Sequence, residues 1–130
     1  MDASPLVLGI YRSSDPTGAF QALVDGLLER YPLRGALYHV AGDRHHRDRW
    51  PADAEVSDDL IDTAAHLLRP EVFPLGSEFP FDATRFPGAD LLVLPLHRRT
   101  TVEASCLLIA DTGAFGEDLA PWEEVSRALQ

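Results

Sequence analysis

The sequence predicts an α+β domain in which helices pack beside an antiparallel sheet. Two observations carry this. Apolar residues recur at helical spacing over Phe20–Tyr31 and again toward the C-terminus, while Ala89–Arg98 and Thr100–Asp111 read as strands joined by the short reversal Arg98-Arg99-Thr100. The order is also mixed: helix, strand, edge strand, helix, irregular aromatic stretch, two strands, helix. At 130 residues the chain fits one domain, on a usual size of roughly 100–200 residues.

Taken in order, residues 5–12 are compatible with either a short helix or a strand. Asp15-Pro16 reads as an N-cap followed by the first helical residue. Phe20, Leu23, Val24, Leu27, Leu28 and Tyr31 then share one helical face, Gly26 costs that helix roughly 1 kcal/mol against alanine, and Pro32 stops it. Arg34–Val40 alternates as a strand, with Ala36, Tyr38 and Val40 on one face and Leu37 and His39 on the other. Ala41-Gly42-Asp43 is a turn, and Arg44–Trp50 a polar edge strand. Ser57 caps a middle helix with Asp58 and Asp59 in its first turn and an apolar stripe of Leu60, Ile61, Ala64, Leu67 and Leu68. Arg69-Pro70 closes it.

Residues 70–88 hold Pro70, Pro74, Pro80 and Pro87, which exclude a helix and leave room for short strands only. The same stretch carries Phe73, Phe79, Phe81 and Phe86. An aromatic loop of this length reads as a lid or wall over an apolar pocket; otherwise these rings fill the second face of the sheet. Leu91–Leu94 is continuously apolar, which predicts burial on both faces. Asp111-Thr112-Gly113 is a turn. Gly116–Gln130 reads as a helix with Leu119, Trp122, Val125 and Leu129 on one side, and Pro121 fits only in its first turn.

Composition narrows the function classes. The formal net charge of −10 argues against nucleic acid and anionic membrane surfaces as partners. No run is apolar and long enough to span a bilayer, and Asp2 stands where a secretory signal is basic, so a cytoplasmic setting is expected. The single cysteine, Cys106, excludes an internal disulfide and sits mid-strand as a small core residue. His45 and His46 are adjacent, so a strand would send them to opposite faces, a poor start for one metal ion. His66 flanks the middle helix's stripe and His97 follows Pro95-Leu96. No nucleophile elbow or phosphate-binding glycine loop occurs. Catalysis, a metal and a resident cofactor are not expected.

Read together, these pieces resemble a GAF domain, the small sensory fold related to PAS. The likeness rests on the Phe20–Tyr31 helix running into Arg34-Gly-Ala-Leu-Tyr-His-Val-Ala-Gly-Asp, on Leu92-Val-Leu-Pro-Leu96, and on Cys106-Leu-Leu-Ile-Ala-Asp111 followed by Gly113-Ala-Phe-Gly-Glu-Asp-Leu119. Ser105 departs from the family, where glycine is common. The resemblance implies a central antiparallel sheet of five or six strands. Helices from both chain ends cover one face, and a middle helix and loops lie over a ligand pocket on the other. It implies a sensory or regulatory role in signal transduction, commonly in a dimer, without naming a ligand.

The family's cyclic-nucleotide binders use an Asn-Lys-Phe-Asp-Glu set, and this chain has neither Asn nor Lys. Its bilin binders use a cysteine on a loop or helix, where Cys106 does not stand, and its methionine-sulfoxide reductases use several cysteines. For haem binding through one histidine, His66 is the better placed. Tyr38 matches the strand tyrosine that faces the chromophore in bilin-binding members, so the resemblance places Tyr38 and Val40 in the pocket with Phe73, Phe79, Phe81 and Phe86. GAF dimers often form through their first and last helices, which points to Leu6, Leu8, Tyr11, Trp122 and Leu129. The expected function is therefore a sensory domain that binds a small apolar or aromatic ligand and couples it to helix rearrangement. It would form the N-terminal part of a longer signalling protein with its own output domain. The alternative is a ligand-free dimerisation or protein-interaction module.

Overall fold

The computed structural model describes residues 3–40, 48–51, 62–75, 88–98 and 101–130. Residues 5–12 resolve as helix: α1 spans Ser4–Tyr11, with Pro5 in the first turn, where a missing N–H loses no bond. Helix α2 spans Pro16–Leu28. Asp15, in extended conformation, accepts the Gly18 N–H at 2.6 Å and so caps α2 as the sequence predicts. Phe20, Leu23, Val24 and Leu27 are buried and Tyr31 packs against the same core, whereas Leu28 is 42% exposed and leaves the stripe that the periodicity implies.

Among the described residues five antiparallel strands follow: β1 (Leu33–Val40), β2 (Asp48–Trp50), β3 (Glu71–Leu75), β4 (Ala89–Arg98) and β5 (Thr101–Asp111). They form one sheet in the order β2-β1-β5-β4-β3. The β4–β5 hairpin is in place, with Arg98 opposite Thr101. Both edges are protected. The β2 edge is three residues long, and β3 carries Pro74, which an edge tolerates because one side of that strand has no ladder to lose. Pro95 lies past the end of β3, whose last partner on β4 is Val93, and its carbonyl accepts the buried Ser126 hydroxyl.

The final helix, α3, spans Ala120–Leu129 and keeps Pro121 in its first turn. It starts later than Gly116 because Gly113 (φ 83°) and Gly116 (φ 73°) turn the chain first, in a conformation that glycine adopts without strain. Between those glycines Phe115 is tucked edge-on against Trp122, their centroids 5.5 Å apart, and Tyr31 packs on the same indole at 5.7 Å.

The sheet is buried on both faces. One face, with Ala36, Tyr38, Leu92, Leu94, Cys106 and Leu108, packs on α1, α2 and α3 through Leu6, Ile10, Phe20, Leu23, Trp122 and Val125. The other face, with Leu37, Leu91, Val93, Leu107 and Ile109, packs against Ala64, Leu67 and Phe73. Leu91–Leu94 have no exposed surface, as their unbroken apolar run predicts. Residues 62–64 are helical, and Ala64 and Leu67 point inward, but Leu68 is 42% exposed and leaves the expected stripe. Ser57, Leu60, Ile61 and most of the polar segment before β2 lie outside the described residues. Among the described residues no helix is long and apolar enough to cross a membrane.

Candidate functional site

The expected pocket residues do not share one face. Tyr38 and Val40 project from β1 toward the terminal helices, and Tyr38 meets Phe20 edge-on at 6.4 Å. Phe73 projects from β3 to the opposite face, beside Leu91 and Ala64. This corrects the expectation of one site holding all of them: on β1 the residues that face Phe73's side are Leu37 and His39, one position out of phase. Phe79, Phe81 and Phe86 lie outside the described residues.

Tyr38 and Val40 do line a recess, on the helix side. Its floor is a cross-strand row in which Ala104 on β5 stands between Val40 on β1 and Leu96 on β4. A methyl group between two branched side chains leaves a hollow where a larger residue would close the row. The walls are Pro16 at the start of α2 and Leu129 and Gln130 at the end of α3, and the volume is about 560 Å³. That lies in the usual range for small-molecule sites, about 300–1,000 Å³. The rim is polar. Leu96 pairs with Ala104 but His97 with Val102, so Glu103 is a bulged residue, and Glu103 and His97 both border the opening.

Pro16, Leu96, Ala104, His97 and Glu103 were not expected here. Leu96 and Ala104 were accessible in principle, because alternation from Tyr38 and Val40 extends to any strand in register with β1. The register itself is a tertiary fact. His39 and Ser105 are cross-strand partners on the second face and both are buried, two polar positions opposite each other that the sequence pattern also left unremarked.

The expected dimer residues divide as well. Leu6 and Trp122 are 2% and 1% exposed, so both belong to the protomer's own core and are corrected from the seam. Leu129 is half-buried at the recess. Leu8 and Tyr11 remain outward, at 50% and 69% exposure.

Cys106 is fully buried in the middle of β5, and burial pushes its thiol up to about 12. A protonated, enclosed thiol is a poor nucleophile and a poor metal ligand. Among the described residues no group of three His, Cys, Asp or Glu side chains is placed to hold a metal ion. His66 is exposed. The recess therefore offers shape, apolar surface and a polar rim, which suits binding. No family model matches this chain, and no curated protein matches it as a relative.

Proposed function

We propose that this chain is a regulatory, GAF-like sensory domain that binds a small, largely apolar ligand in the recess floored by Val40, Ala104 and Leu96. One observation carries the reading: the floor belongs to the rigid sheet, while one wall is the last turn of α3. A ligand seated on the row touches Leu129 and Gln130, so its affinity depends on where the helix end lies. A ligand that binds one helix position better than another shifts the population toward that position. An output domain in the full-length protein would read the shift. Nothing in this reading makes or breaks a covalent bond.

Native mass spectrometry of the purified protein, repeated under denaturing conditions, tests it with Ala104→Leu as the comparison. The wild type is expected to carry an extra mass that denaturation releases, and the leucine that fills the row should abolish it. A bound mass that survives unchanged in Ala104→Leu would place the ligand elsewhere and overturn this site.

A second reading rests on a separate observation. Helix α1 contains no charged residue, and its outward side carries Leu8 and Tyr11. A helix apolar all round is normally buried. This favours a domain that works through contact between two copies, with or without a ligand.

A further inference from the structure

We propose that a second recess, on the other side of α3 from the apolar row, is a recognition site for a small dianion, either a phosphate group or a pair of carboxylates. It has a volume of about 370 Å³ and lies between α3 and the segment leading into β3. Arg69, His97 and Arg127 border it, against one carboxylate, Glu123; Ser126, whose hydroxyl donates to the Pro95 carbonyl, also lines it.

The charge balance makes this notable. The chain has 21 acidic and 11 basic residues, so an arbitrary concavity should be lined mainly by carboxylates. Here two arginines face one carboxylate, and they come from different parts of the fold: Arg69 follows the helical turn at 62–64 and Arg127 belongs to α3, while His97, next to the last residue of β4, adds a polar wall. Among the described residues neither Arg69 nor Arg127 forms an ion pair. Glu123 and Arg127 stand one helical turn apart, the spacing of a common surface pair, yet they do not close on each other.

The α3 dipole gives one ordinary reason for Arg127, since a cation is favoured in the last turn. It gives none for Arg69, which approaches from another segment. Two arginines bordering one hollow carry planar guanidinium forks that match the oxygens of phosphate or carboxylate, whereas a single ammonium would act only as a point charge. The proposal does not depend on the apolar recess being occupied, although the two hollows share His97 and Gln130 as walls.

The test is amide and arginine-side-chain NMR of the intact chain, titrated with inorganic phosphate and, separately, with succinate. Sodium chloride at matched ionic strength is the reference. Saturable shifts centred on Arg69, Ser126 and Arg127 with either dianion are expected, and the tighter of the two identifies the recognised group. Both arginines are exposed, so Arg69→Gln and Arg127→Gln should fold normally, and each should weaken binding by about tenfold. Glu123→Gln should strengthen it, because it removes a like charge from the rim. Shifts that fail to saturate, that sodium chloride reproduces, or that persist unchanged in the doubly substituted protein would overturn the proposal.

Discussion

Cys106 stands in the middle of β5 without solvent contact, and its thiol is raised from an ordinary 9.0 to about 12 because burial penalises the thiolate. The consequence is a pH dependence with a definite sign. Below pH 9 the thiol is protonated in both folded and unfolded chains and contributes nothing. Between 9 and 12 the unfolded chain releases a proton that the folded chain keeps, so stability falls as pH rises, by up to about 1.4 kcal/mol per pH unit. Burial also raises Tyr31, with Arg30 acting against it, and that phenol adds to the same loss as pH rises through the ordinary phenol value of 10.0. Urea unfolding at neutral and alkaline pH should show the decline in the wild type and a flatter profile in Cys106→Ala. Equal slopes in the two proteins would mean that the thiol is not the responsible group.

At the scale of elements, most boundaries were legible because they depend on local chemistry. Asp15-Pro16 marks the start of α2 through an N-cap bond and a preset φ, and β4 spans Ala89–Arg98, the bounds expected from the sequence. What could not be read was which face of β1 the terminal helices cover. Ala36, Tyr38 and Val40 are as apolar as the opposite side, and a sheet buried on both faces erases the contrast that would orient it. The same limit misplaced Leu6 and Trp122, since an apolar helical residue looks alike in a core and in an interface.

Gly26 shows a complementary gap. From sequence it is a weak point in α2. In the fold a β-carbon there would stand 2.6 Å from Leu6 Cδ2, so the glycine is what lets α1 lie close across α2. Two effects then compete in Gly26→Ala: a gain of about 1 kcal/mol in helix propensity and an overpacking cost of about 1–3 kcal/mol. The contested atom is the far end of a side chain, which favours the lower end of that cost. A double-mutant cycle decides it. Gly26→Ala should be more favourable in a Leu6→Ala background than in the wild type, by about 1 kcal/mol in denaturant unfolding. Additive effects would show that the helices do not meet at this point.

For the molecule as a whole, the net charge of −10 and the uncharged α1 act on association in opposite directions. Two copies repel at long range, and the repulsion weakens once the Debye length shrinks to about 10 Å, near 0.1 M salt. The outward Leu8 and Tyr11 side chains offer apolar surface that salt does not weaken. If α1 is the seam, self-association should therefore strengthen with salt, the reverse of an interface built on ion pairs. Light scattering across a salt series tests this with Leu8→Glu, a substitution at an exposed position that leaves the Leu6 and Ile10 core face intact. The wild type should gain mass as salt rises, and the variant should stay at the mass of one chain with an unchanged unfolding midpoint. Association that salt weakens, or that survives Leu8→Glu, would move the contact off α1. A wild type that stays monomeric throughout would remove the contact reading and leave the recess beside α3 as the chain's route to regulation.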